Sequence, residues 1–125
     1  MRRQYVLVVE DNTGAAQMLA KLLKTIWGHD VELAHDGLEA LERVQQRRPD
    51  VMLLDIGLPQ LNGFQVAERL RDLPESRPTL LVAVTGYGSP DDFRRSAELG
   101  FDDHLVKPVS IAALEAVFQH QKLAG

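Results

Sequence analysis

Glu10, Asp11, Asp55, Thr85 and Lys107 are polar residues that each follow or end an apolar run, and together they could carry phosphoryl chemistry. Three carboxylates held close repel and raise one another's pKa unless a cation is present. Hard oxygen ligands without histidine or cysteine suit Mg²⁺, with Mn²⁺ as a substitute. Magnesium usually keeps waters and takes one or two carboxylates plus a phosphate, so such a site looks built for a phosphoryl group. Thr85 would supply a hydroxyl donor to that group and Lys107 a point positive charge. Gly86 leaves room for the oxygens and offers a backbone N–H. An aspartate at position 55, between the acids and the Thr/Lys pair, can attack phosphorus in line and form an acyl phosphate.

The elements that must position these groups are legible as runs. Residues 51–54 are four apolar residues leading without a break into Asp55, with Gly57, Pro59, Asn62 and Gly63 close behind. A short continuous apolar run bounded by turn formers reads as a strand buried on both faces. Residues 5–9 and 79–84 read the same way, whereas 31–34 alternates and 101–106 is shorter and more polar, which suits edges. Between the strands, apolar residues recur at helical spacing. The expected inner faces are Ala15, Met18, Leu19, Leu22, Leu23 and Ile26, ended by Gly28; Leu38, Leu41 and Val44 after an Asp36 cap; Phe64, Val66, Ala67, Leu70 and Leu73, ended by Pro74. Phe93, Ala97 and Leu99 follow a Ser89 cap with Pro90 at the first helical position. Ile111, Leu114, Val117 and Phe118 follow a Ser110 cap.

Strand and helix alternate five times with short connections, which means a parallel α/β sheet with helices on both faces. Ligands of such sheets sit beyond the carboxyl ends of the strands. With strand order 2-1-3-4-5, the switch point between the first and third strands would put Glu10, Asp11 and Asp55 in one crevice.

Composition narrows the classes. The length suits one domain over residues 1–125. The net charge of −4 argues against a general nucleic-acid or membrane surface, and the absence of cysteine removes disulfides and thiolate chemistry. Met1-Arg2-Arg3 imitates a signal n-region, but the apolar stretch behind it is too short for an h-region, so a cytoplasmic location is expected.

Glu10-Asp11-Asn12, Asp55-Ile56-Gly57-Leu58-Pro59 with Asn62-Gly63, Thr85-Gly86 and Lys107-Pro108 together resemble the receiver domain of two-component response regulators, over the whole chain. The resemblance implies a (βα)5 flavodoxin-like fold of order 2-1-3-4-5. It implies that Asp55 accepts a phosphoryl group from a phosphohistidine on a histidine kinase or histidine phosphotransfer domain. Asp11, Asp55 and the Gly57 carbonyl would bind Mg²⁺, with Glu10 acting through water, and Thr85 and Lys107 would contact the phosphoryl group. Lys107-Pro108 would be a cis peptide. The face around the fourth helix, fifth strand and fifth helix would switch. Gly57 and Tyr87 would flank the path of the hydrolytic water, with Tyr87 shielding it. Self-catalysed phosphotransfer and dephosphorylation are implied rather than an enzyme in the turnover sense, and a weak homodimer is compatible. The stretches 55–59, 85–88 and 104–108 look most like receivers attached to hybrid sensor kinases. One departure concerns His104, which stands where the family has Tyr or Phe three residues before the lysine. That puts the usual aromatic switch in question, and an imidazole there could titrate near neutral pH.

Other readings compete less well. Two acids before Thr13-Gly14 would repel the phosphate of a flavodoxin-type FMN loop. A haloacid-dehalogenase-type phosphatase would want Asp-x-Asp after its first strand, where this chain has Glu-Asp-Asn. The main alternative is a pseudo-receiver, an interaction domain with the fold and no phosphotransfer. His29, His35 and His120 read as solvated, Trp27 as packing, and Arg43, Arg47 and Arg48 as a solvated basic edge.

Overall fold

A strand with no polar residue on either side is satisfied only between two layers of helix, and that is where the apolar runs lie. The computed structural model describes residues 2–58, 61–73, 79–86, 90–120 and 123, the side chains of 90–93 excepted. In chain order the elements are β1 (Tyr5–Val9), α1 (Thr13–Trp27), β2 (Asp30–Ala34), α2 (Gly37–Gln46), β3 (Val51–Asp55), α3 (Gly63–Arg71), β4 (Leu80–Thr85), α4 (Pro90–Glu98), β5 (Asp103–Val106) and α5 (Ile111–Val117). Every strand pairing is parallel and the order is β2-β1-β3-β4-β5, the flavodoxin-like (βα)5 arrangement. The two more polar runs, β2 and β5, are the edges.

Side chains of a strand alternate between faces, so each central strand feeds two cores. Leu7, Val9, Met52, Leu54 and Ala83 join Ala40, Val44, Val66 and Leu70 on one side. Val6, Val8, Leu53 and Val82 join Ala20, Leu23, Leu114 and Val117 on the other. Full burial of each such aliphatic side chain is worth roughly 1.5–3 kcal/mol, which is why the middle of the sheet is fixed so firmly.

Helix starts are set by side-chain caps. Asn12, Asp36, Asn62 and Ser110 each accept from a backbone N–H in the first turn of the helix that follows, and Asn62 with Gln65 completes a capping box. Gly28 closes α1 at φ 70°, the left-handed value that glycine adopts without cost. Gly63 has a different reason: a Cβ there would lie 2.5 Å from Ile56 Cα and 2.8 Å from the Asp55 carbonyl oxygen. Only a residue without a side chain lets α3 start this close to the end of β3.

Several expected inner faces are corrected. In α1 the buried stripe is Ala16, Ala20 and Leu23, with Leu19 and Trp27 packed beside it. Met18 is 68% exposed, and Ile26 and Ala15 are exposed too. Leu19 and Leu23 of the expected face do pack on the core, and the face is rotated toward Ala16 and Ala20 rather than Ala15, Met18 and Ile26. Leu38 is 56% exposed, leaving Ala40, Leu41 and Val44 as the inner residues of α2. Ile111 and Ala97 are also exposed, while Ser96 is buried in α4. α3 packs as expected, through Phe64, Val66, Ala67, Leu70 and Leu73. His29 is not solvated: it is 3% exposed, its Nδ1 accepts the Gln4 N–H at 3.0 Å, and its ring stacks on Phe118 at 4.3 Å. Burial holds its pKa below the usual histidine range. His120 is half-buried and His35 exposed. Arg43 and Arg47 are not merely solvated, since they pair with Glu39 and Glu32 and with Asp30, and Arg47 also covers the Tyr5 ring. Pro59, Pro74, Tyr87 with its shielding role, Gly88 and the Ser89 cap lie outside the described residues, as does the side chain of Phe93.

Candidate functional site

The register of the sheet brings the polar strand ends together. Asp55 is the last residue of β3 and pairs with Val84, one residue before Thr85 ends β4. Glu10 follows β1 directly, and its backbone N–H reaches across to the Ala34 carbonyl at 3.0 Å. Lys107 follows β5, its N–H donating to the Thr85 carbonyl at 2.7 Å, and the Lys107-Pro108 bond is cis. Four strands therefore end at one place, each carrying a residue singled out from sequence.

Glu10 and Asp55 are almost wholly buried, at 6% and 7% exposure, while Asp11 is exposed. Lys107 Nζ donates to Glu10 Oε1 at 2.6 Å and to Asp55 Oδ2 at 3.1 Å. The other Asp55 oxygen, Oδ1, accepts the Gly57 N–H at 2.8 Å. Glu10 Oε2 accepts the Asn12 N–H at 3.3 Å. Burial pushes the Glu10 pKa up, helped by the Asp55 carboxylate beside it, against the pull of Lys107 and the Asn12 N–H. Burial by itself would lower the Lys107 pKa, but its bonds to Glu10 and Asp55 outweigh that and hold it above its usual value.

One oxygen from each of Glu10, Asp11 and Asp55 can be chosen so that all lie within 4.8 Å of one another. These are hard, anionic donors, one of them open to solvent, which fits a divalent cation that keeps part of its water shell. The Gly57 backbone turns directly beside Asp55, at the edge of the same cluster. On a second side of Asp55 a cleft of about 310 Å³ is lined by Gly57, Asn62, Phe64, Thr85, Gly86 and Arg95.

Every residue picked for the acceptor, metal and phosphoryl roles is thus at one end of the sheet: Glu10, Asp11, Asp55, Gly57, Thr85 and Lys107. His104 lies further back, on β5, where its Nδ1 shares a 3.3 Å hydrogen bond with the Ser96 hydroxyl of α4. Ser96 was not legible as a partner, because a serine in mid-helix ordinarily faces solvent. Arg95 was missed too. Its guanidinium lies 4.3 Å from the centroid of the Phe64 ring, a contact across two helices that no local spacing announces.

The sequence profile of the response regulator receiver domain matches residues 6–119. The chain is a response regulator receiver domain. As such it belongs to two-component signal transduction. The response regulator MprA of Mycobacterium ulcerans (strain Agy99) is 35% identical over 122 residues, covering 94% of this receiver and 51% of that protein. The receiver spans about half the length of the curated relatives it matches. Among solved structures, a CheY-like response regulator receiver domain from Methylobacillus flagellatus is 33% identical, with a TM-score of 0.83 over 94% of this chain and 98% of that one. The receiver domain of a signal transduction histidine kinase from Syntrophus aciditrophicus is 29% identical, with a TM-score of 0.84 over 98% of this chain and 91% of that one. Receivers from both contexts superpose equally well, so the backbone does not separate the hybrid-kinase sub-class from the rest. Among the described residues no helix is long and apolar enough to cross a membrane.

Proposed function

We propose that this receiver is a cytoplasmic phosphoacceptor switch, taking a phosphoryl group onto Asp55 from a phosphohistidine of a histidine kinase or histidine phosphotransfer domain. The observation that carries this reading is the position of Asp55, buried between the Lys107 ammonium on one side and the Thr85 cleft on the other. An Asp55 oxygen attacks phosphorus, the P–N bond to the donor imidazole breaks, and its electron pair leaves with the imidazole. The product is an acyl phosphate on Asp55.

Glu10, Asp11, Asp55 and the Gly57 carbonyl are the residues that would hold Mg²⁺. A bound divalent cation would supply charge neutralisation for the phosphoryl oxygens. Lys107 is already within reach of Asp55 and supplies a second positive charge to the same oxygens. Its raised pKa keeps it protonated throughout the physiological range. Thr85 offers the hydroxyl donor. The pseudo-receiver alternative is disfavoured by the completeness of this set.

The test is labelling with acetyl phosphate. With Mg²⁺ the protein is expected to gain one acid-stable, hydroxylamine-labile phosphoryl group. Uptake should vanish with a chelator and in Asp55→Asn. If Asp55→Asn is labelled as fast as the parent, the acceptor is elsewhere; if the parent is never labelled, the pseudo-receiver reading stands.

A further inference from the structure

Two openings flank the carboxylate cluster, and Asp55 lines the second of them. Glu10 and Lys107 line one, against α1 and the turn after β5. The second is the 310 Å³ cleft, and its cation is Arg95, on the exposed side of α4. The Phe64 ring supports that guanidinium at 4.3 Å, and Phe64 is itself held edge-on by Phe101 at 6.2 Å. An arginine stacked on a fixed ring has lost much of its rotamer freedom already, so it is prepared for a ligand rather than loose in solvent.

In-line displacement puts the leaving group opposite the attacking oxygen. Asp55 is buried and Arg95 exposed in the lining of the same cleft, so a group leaving outward from the Asp55 oxygen leaves on the side of Arg95. A phosphohistidine leaves as a neutral imidazole and gains little from a guanidinium. An acyl phosphate leaves as a carboxylate, the anion whose planar, two-oxygen shape a guanidinium matches. We propose that Arg95 binds the carboxylate leaving group of small acyl phosphates and makes the receiver selective for them among small donors. The reading rests on Asp55 as the acceptor. In the step, the Asp55 oxygen bonds to phosphorus, the bond from phosphorus to the acyl oxygen breaks, and the electron pair departs with the carboxylate beside Arg95.

The experiment measures the initial rate of Asp55 phosphorylation against donor concentration, by intact mass, with acetyl phosphate and with phosphoramidate, whose leaving group is uncharged ammonia. Arg95→Gln is expected to raise the half-saturating concentration of acetyl phosphate about fivefold, the scale of one partly exposed charge-assisted contact, and to leave phosphoramidate unchanged. Arg95→Glu should deepen the loss for acetyl phosphate alone. Arg95 is on an exposed helix face, so both variants should fold. An equal effect on both donors, or no effect on either, overturns the assignment while Asp55 remains the acceptor. A parent labelled by neither donor overturns the acceptor reading, and this one with it.

Discussion

The two oxygens of Asp55 are held differently, one by the Gly57 N–H and one by the Lys107 ammonium. Lys107 also neutralises Glu10, so a single cation answers two buried carboxylates. Asp11 has no share in that arrangement and faces solvent. Its removal should therefore cost the fold nothing and can relieve repulsion. Asp11→Ala is expected to be at least as stable as the parent without metal, by up to ~1 kcal/mol in urea unfolding. Its Mg²⁺ affinity in titration calorimetry should fall by at least about tenfold, since one of three anionic donors is gone. Undiminished affinity, or a clearly destabilised variant, would show that Asp11 serves structure instead.

At the scale of elements, α4 and β5 are joined behind the site by the Ser96–His104 bond. The family's usual aromatic would fill this place by packing, whereas the imidazole shares a hydrogen bond with the Ser96 hydroxyl, a contact worth about 1 kcal/mol. A phosphoryl group on Asp55 adds up to two charges and three acceptor oxygens, which should draw the Thr85 hydroxyl toward them. The space this vacates lies toward β5, whose Val106 pairs with Thr85. The polar tether should make the response shallower than an aromatic would. Amide exchange over residues 86–106 is expected to change when a phosphoryl mimic binds, and to change more in His104→Tyr. Ser96→Ala should loosen α4 even without the mimic. A segment unmoved by the mimic in both parent and His104→Tyr would place the signalling face elsewhere.

For the whole molecule, buried Glu10 makes stability depend on pH in a direction opposite to an ordinary paired carboxylate. The folded state raises the Glu10 pKa above its ordinary value of 4.5, so between the two values it binds more protons than the unfolded chain. Stability then falls as pH rises through that window. The Lys107 shift is also upward, so its contribution is complete at low pH and is lost only as pH climbs past its ordinary 10.5 toward the raised value, clear of the acid window. Metal-free unfolding measured from pH 4.5 to 7 should show Glu10→Gln with a flatter profile, at least as stable as the parent at pH 7. If both profiles run parallel, Glu10 is not under strain in the fold.

What the sequence determined by itself was the layered architecture and the chemistry at its edge. Unbroken runs such as 51–54 can be stable only in a two-sided sheet, and an acid, a hydroxyl or an ammonium following such a run must emerge at the sheet's rim. Glu10, Asp55, Thr85 and Lys107 were legible for that reason. Caps at Asp36 and Ser110 were legible because the capping bond is local. The tertiary structure alone decided how far the apolar face of α1 is rotated, toward Ala16 and Ala20 rather than Ala15 and Met18, since both sets repeat at steps of three and four residues. It alone put His29 beneath Phe118 and paired Ser96 with His104. It also placed Arg95 on Phe64 in the lining of the Asp55 cleft. These contacts join residues on different elements, and no periodicity carries that information, because it depends on how far each helix is rotated and where its neighbour lands.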